Sequence, residues 1–309
     1  MRIVLVCNRD IPPLKYGGTQ RVVGWLAKGL LELDHEVTIV TNGICRLNHP
    51  NLTTIQIRNI NELIRQGKEE EVFRSFPRDF DIAHFHINLP KEPPFPYLIT
   101  FHWITKDFNI LLPNTVFVSK KHALNHGRKE FVYNGLDPAE YIYQEKKSEH
   151  LLFIGKVNYP PKNVKTAIKL ATDMKFHLNI AGGRRLSFSP YIHFKGEVGG
   201  EPKQKLLANS RALIFPTLWE EPFGLVTIEA LISGTPVICS QNGAMPEIIT
   251  PEVGFCCKNY EEYKNAVINI DAINPKDCRQ RVLDGFTHFG MAKNYLEFYK
   301  KIMKKGKLT

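Results

Sequence analysis

The sequence predicts an α/β protein of two Rossmann-like, doubly wound domains. Three observations carry this. Short apolar runs of strand length alternate with helical segments, the pattern of parallel sheets covered by helices. The chain opens β-α-β, with a strand over 2–7, a helix over 21–33 and a strand over 36–41. The same pattern restarts after a polar stretch near mid-chain, and 309 residues suffice for two ordinary cores. The boundaries expected are 1–142 for the first domain, 143–149 for a linker, 150–285 for the second domain, and 286–309 for a C-terminal helix and basic tail.

In the first half, helix 21–33 carries Val22, Val23, Leu26, Leu30 and Leu33 on one side. The loop before it ends Tyr16-Gly17-Gly18-Thr19. It lacks the full Gly-x-Gly-x-x-Gly of dinucleotide folds, so NAD is not favoured. Strand 52–57 follows, then a mostly polar surface helix over 59–75. Strand 81–86 carries His84 and His86, and strand 97–102 ends in His102. Strand ends in such sheets face the ligand crevice. Three histidines could hold a metal, but no fourth ligand or carboxylate pattern accompanies them, and no metal is expected. Asp79-Phe80-Asp81 reads as a strand entry. Strand 115–119 and a short helix over 120–126 complete the half.

In the second half, strand 150–155 leads to Lys156, and Pro160-Pro161-Lys162-Asn163 leads into helix 164–172. Strand 176–181 ends at Gly182-Gly183-Arg184, strand 191–196 precedes Val198, and helix 202–209 follows. After strands 212–216 and 236–239, the tail reads as one helix over 286–305. Tyr295, Phe298, Tyr299 and Ile302 form its apolar side.

Composition narrows the class. Hydrophobic content of 43% and charged content of 23% are those of a soluble globular protein. No apolar run approaches the roughly 18 residues of a membrane span. The apolar start is too short for a signal peptide. Six cysteines without a Cys-x-x-Cys pair read as reduced thiols, which implies a cytoplasmic protein. Net charge is +10, of which residues 1–147 hold +3 and residues 148–309 hold +7. That excess suits an anionic ligand of the second domain. No nucleic-acid motif accompanies it.

The chemistry concentrates in Trp219-Glu220-Glu221-Pro222-Phe223-Gly224-Leu225-Val226-Thr227-Ile228-Glu229-Ala230. A buried strand precedes it, and a helix over 226–232 stops at Gly234-Thr235-Pro236. Pro222 suits a first helical turn. Gly224 allows close backbone approach. A helix start of this kind attracts phosphate through unpaired amides and partial positive charge. Glu221 stands before the turn and Glu229 about two helical turns later. Either could be an ordinary helix charge. Glu229, however, sits on a helix that is apolar nearly all round, so its carboxylate should point at a partner.

Glu221-Pro-Phe-Gly-Leu-x-x-x-Glu229-Ala, followed by Gly234-Thr-Pro-Val, resembles the two-glutamate signature of retaining glycosyltransferases of the GT-B fold, family 4. Asn134-Gly135-Leu136-Asp137, Asn242-Gly243-Ala244-Met245-Pro246-Glu247 and Gly254-Phe255 resemble further turns of that family. The resemblance implies two Rossmann-like domains facing across a cleft, with the last helix crossing back to the first. It implies a retaining, metal-independent transfer of a hexosyl unit from a nucleotide sugar, UDP- or GDP-linked, to an acceptor hydroxyl. No cofactor is implied. Glu221 and His102 would be catalytic. Gly17, Gly18, Lys156, Lys162, Gly182, Val198, Phe223, Gly224, Leu225 and Glu229 would bind the donor, and His86 would line the acceptor side.

The chain departs from the family with Gln20 where Glu is frequent, Lys156 where Arg is more frequent, and Asn163 and Ala244 where Gly is usual. The acceptor would be a glycan, a lipid-linked glycan or a small molecule. The expected location is cytoplasmic, peripheral at the inner face of a membrane if the lysine-rich tail binds one. A nucleotide-sugar epimerase, a sugar phosphorylase or a non-catalytic nucleotide-sugar-binding subunit would share the fold.

Overall fold

The structure, a computed structural model, describes residues 1–14 and 17–308. Tyr16 of the Gly-Gly loop and the last residue of the tail lie outside the described residues. In chain order the elements are β1 (Arg2–Val6), α1 (Gly18–Glu32), β2 (Glu36–Thr41), β3 (Leu52–Gln56), α2 (Ile60–Arg65), α3 (Glu69–Phe73), β4 (Ile82–Phe85), β5 (Tyr97–Phe101), β6 (Thr115–Phe117) and α4 (Lys120–Asn125). Then come β7 (Leu151–Ile154), α5 (Val164–Met174), β8 (Leu178–Ala181), β9 (Ile192–Gly196), α6 (Gly200–Asn209), β10 (Leu213–Phe215) and α7 (Leu225–Ile232). The chain closes with β11 (Val237–Ser240), α8 (Met245–Ile248), β12 (Gly254–Cys257), α9 (Tyr260–Asn269), α10 (Pro275–Gly285) and α11 (His288–Lys305).

The chain divides into two compact units, one of residues 1–136 with 287–309 and one of residues 137–286. Each unit holds one parallel six-stranded sheet. The orders are β3-β2-β1-β4-β5-β6 and β12-β11-β10-β7-β8-β9. Counted within its own unit, each sheet has the same doubly wound order, which reverses direction between its first and fourth strands. The expected α/β class is the observed one. Strands such as Ile3–Val6 and Leu151–Phe153 are buried along their length, as sheets covered on both faces require.

Gly135 marks where the chain leaves the first unit. A Cβ there would lie 2.1 Å from the Thr287 carbonyl oxygen. That closeness lets Leu136 bridge Thr287, and the His288 amide donates to the Leu136 carbonyl at 2.8 Å. The stretch 143–149 lies in the second unit. Its Lys147 Nζ donates to the carbonyls of Ala208 and Ser233 at 2.8 and 2.9 Å.

Three details differ from the sequence expectation. The helix expected over 59–75 is two short helices, because Gly67 between them takes a left-handed φ of 72° that no helix interior accommodates. The helix of the Glu221 stretch begins at Leu225, so Pro222 lies outside it. Its cap, Gly224, has φ 85°, and regular helix can start only beyond that point. The last helix starts at His288, where the Thr287 hydroxyl accepts the Gly290 amide at 3.1 Å. It packs in the first unit with Tyr295 and Tyr299 fully buried. The tail beyond it is anchored: Leu308 is buried and its amide donates to Asn114 Oδ1 at 3.0 Å. The six cysteines are free thiols.

Candidate active site in the second unit

The order of the second sheet reverses between β7 and β10. Ligands of open α/β sheets bind outside the strand ends at such a point. The loops after these two strands are fastened together there. Asn163 Nδ2 donates to the Pro216 carbonyl at 3.0 Å, and the Leu218 amide donates to the Pro161 carbonyl at 2.8 Å. Asn163 has a left-handed φ of 55°, a conformation that asparagine tolerates.

This clasp brings Lys162 to Glu221. Lys162 Nζ lies 2.6 Å from Glu221 Oε2, and the Trp219 indole N–H donates to the same oxygen at 2.6 Å. Lys162 also lies 4.9 Å from the Phe215 ring centroid and 5.0 Å from that of Trp219. The Glu221 backbone is held from the other side. Its carbonyl accepts the Ala244 amide at 2.9 Å. Gly243, φ 64°, passes so close that a Cβ would lie 2.3 Å from the Glu221 nitrogen.

Glu229 on α7 is 3% exposed and has two partners. Tyr141 donates its hydroxyl to Oε1 at 2.9 Å, and Lys203 Nζ lies 2.5 Å from Oε2. The helix that is apolar all round therefore aims its one carboxylate at a lysine and a tyrosine. Among the other expected donor residues, Lys156 is exposed just after β7, and Gly182 directly follows β8, bonded through its amide to the Gly196 carbonyl at 2.7 Å. Val198 is half-buried before α6. Phe223 is buried, Gly224 caps α7, and Leu225 opens it half-buried. Trp219, Tyr141 and Lys203 were not anticipated. Trp219 is adjacent to the motif. Nothing in the sequence ties Tyr141 or Lys203 to Glu229.

In the first unit, Gly17 caps α1 and Gly18 opens it. His84 is fully buried. Its Nδ1 pairs with the Tyr299 hydroxyl at 2.6 Å and its Nε2 with Thr100 Oγ1 at 2.7 Å. It therefore ties α11 to the sheet. His86, just past β4, pairs through Nδ1 with His102 Nε2 at 2.9 Å, the rings stacked 5.2 Å apart. Burial and the neighbouring imidazoles hold His84, His86 and His102 well below their ordinary pKa, so all three are neutral at pH 7. Between His86 and His102 one ring nitrogen donates and the other accepts. Among the described residues no group of His, Cys, Asp or Glu is placed to hold a metal ion.

Residues 148–271 match the model of the family described as glycosyl transferases group 1. That match covers 124 of the 309 residues, so the likeness to group 1 glycosyltransferases lies in the second unit. An uncharacterized glycosyltransferase of Methanocaldococcus jannaschii is 22% identical to it, over 82% of this chain and 84% of that one. An O-antigen chain mannosyltransferase of Salmonella typhimurium is 25% identical over 50% of this chain, which spans about half (48%) of its length. Among solved structures, AviGT4, a glycosyltransferase involved in avilamycin A biosynthesis, superposes with a TM-score of 0.81 at 26% identity, over 98% of each chain. The Anabaena protein HepE in complex with UDP superposes at 0.72 with 14% identity, over 97% of this chain and 100% of that one, a likeness of fold. The chain thus has the GT-B fold.

Proposed function

We propose that this chain is a group 1 glycosyltransferase, a retaining, metal-independent hexosyltransferase of family 4 that uses a nucleoside diphosphate sugar, UDP- or GDP-linked. The observation that carries the reading is the pair of buried carboxylates, Glu221 and Glu229, each held by a lysine around the strand-β10-to-α7 turn. Buried carboxylates with fixed orientation are suited to accept hydrogen bonds from hydroxyls of known position. Glu229 takes the ribose hydroxyls, and Glu221 orients the transferred sugar. Lys156, Lys162 and the backbone amides at Phe223–Leu225 meet the diphosphate, whose charge grows as the glycosidic bond breaks. Charge-assisted bonds of this kind contribute about 1.5–3 kcal/mol each.

Gly182 and Val198 border the nucleobase. His102, with His86 behind it, stands at the acceptor side as a neutral imidazole. The acceptor hydroxyl attacks the face from which the phosphate departs, and that phosphate takes its proton. The acceptor is a glycan, a lipid-linked glycan or a small molecule. The exposed lysines of the C-terminal tail offer contact with an anionic membrane surface. No helix among the described residues is long and apolar enough to cross a membrane.

The test is calorimetric titration with UDP-glucose, GDP-mannose and ADP-glucose in the presence of a chelator, for the wild type and Glu229→Ala. One donor should bind, and the substitution should weaken it at least tenfold. Product from an acceptor screen with that donor should keep the donor's anomeric configuration by NMR. Absence of binding by every nucleotide sugar, or a product of inverted configuration, overturns the reading.

A further inference from the structure

We propose that the first unit carries an anion-recognising acceptor pocket, fitted to a sugar that bears a phosphate or a carboxylate. The inference deepens the transferase reading above and rests on it for the word acceptor. The first sheet reverses order between β1 and β4, and a cavity of about 580 Å³ opens over the strand ends there. That volume lies within the range of small-molecule sites.

Two arginines line the cavity, Arg9 from the loop after β1 and Arg65 from the end of α2. Among the described residues no carboxylate lines it. Neither guanidinium has an ion-pair partner among the described residues. Arg46 nearby differs: it is paired with Asp10 at 2.8 Å.

The Arg9 backbone is fixed, while the residue, like Arg65, is exposed. It has a left-handed φ of 74°. Its amide donates to Asn42 Oδ1, and its carbonyl accepts the Thr41 hydroxyl at 2.6 Å. Gly43 packs against it so closely that a Cβ would lie 2.2 Å from the Arg9 carbonyl carbon. Such a conformation persists only where the surroundings enforce it. The 15-residue helix α1 adds to the field. Its first turn, which supplies Thr19 and Gln20 to the wall, carries no acidic residue and no side-chain cap. Gln20 is neutral and donates to Asn8 Oδ1 at 3.1 Å, which fixes that amide at the cavity wall.

The remaining wall suits a sugar ring. Trp103 offers a half-exposed indole face, and Asn61 and Asn88 offer donors and acceptors for hydroxyls. Asn88 lies two residues after His86, and Trp103 follows His102. The pocket therefore borders the imidazole pair. An anion between Arg9 and Arg65 forms charge-assisted bonds, and the guanidinium fork suits phosphate and carboxylate alike.

The experiment titrates the full chain by calorimetry with glucose 6-phosphate, glucuronate and glucose, and separately with UDP. The proteins are the wild type, Arg9→Gln and Arg65→Gln, with circular dichroism confirming that each is folded. At least one anionic sugar should bind tenfold or more tightly than glucose. Each substitution should remove at least tenfold of that preference and leave UDP affinity unchanged. Preference for glucose 6-phosphate or for glucuronate assigns phosphate or carboxylate. Arg65 is exposed at a helix end, so its variant keeps the test decisive if Arg9→Gln unfolds. Equal binding of glucose and the anionic sugars, or no binding of either anion, overturns the proposal. So does a parallel loss of UDP affinity, which would give the cavity to the donor. If UDP binds no variant while the anionic preference persists, the donor reading fails and the pocket stands.

Discussion

Replacing Lys203 with methionine removes the charge that faces Glu229 and little else, because methionine keeps the apolar stem. The two side chains are 17% and 4% exposed, with Nζ 2.5 Å from Oε2. Removing one partner of a buried pair strands the other charge, at a cost of about 3–5 kcal/mol. Tyr141 still donates to Oε1 at 2.9 Å, which places the cost near the lower bound, about 3 kcal/mol. For a unit of this size, each kcal/mol moves the melting temperature by about 2–4 °C, so a fall of roughly 6–12 °C is expected. Adding Glu229→Gln removes the stranded charge and leaves an amide oxygen for Tyr141. The double variant should therefore recover about 2 kcal/mol relative to additivity. Differential scanning calorimetry, with the second-unit transition assigned by a Trp219→Phe variant, measures both. A shift below 2 °C for Lys203→Met, or strict additivity in the double variant, would refute the claim that the pair is buried and mutually dependent.

Other positions give independent checks. Gly243→Ala places a methyl group against the Glu221 backbone at a left-handed φ; donor affinity should fall at least tenfold by calorimetry, with a loss of about 1–3 kcal/mol in urea unfolding. Tyr299→Phe leaves His84 Nδ1 buried without its partner, and should cost about 1–3 kcal/mol in the first unit by the same assay. Burial pushes His122 down to about 4, while in the unfolded chain it titrates near 6.5. Above pH 6.5 both states are neutral there and nothing is lost. As the pH falls from about 6.5 toward 4 the unfolded chain binds the proton first, and stability drops by up to about 3 kcal/mol from this group. His84, His86 and His102 act in the same direction. Urea midpoints between pH 7.5 and 4.5 should decline, and more shallowly for His122→Gln.

Much of the fold was legible because it is written in local periodicity. The apolar runs at β1, β2, β7 and β8, and the helical stripe of α1, announce parallel strands and covering helices without any distant contact. The Glu221–Glu229 stretch was legible for a related reason. A carboxylate on an otherwise apolar helix must have a partner, whatever the partner is. The errors were also local: left-handed glycines at 67 and 224 cut helices that composition alone extends.

Partners were a different matter. Lys162 reaches Glu221 across 59 positions, Lys203 reaches Glu229 across 26, and Tyr141 reaches it across 88. None of these separations leaves a periodic trace. They arise because β10 enters the sheet beside β7 rather than after β9, which sets two distant loops on one strand end. His86 meets His102 because β4 and β5 are neighbours in the first sheet, and Arg9 and Arg65 line one cavity from separate elements. The sequence by itself determined which segments are strands and helices and where an unsatisfied charge must be answered. Only the tertiary structure decided which residue answers it, because strand order is fixed by the packing of both faces of a sheet, a sum over the whole unit that no window of the chain contains.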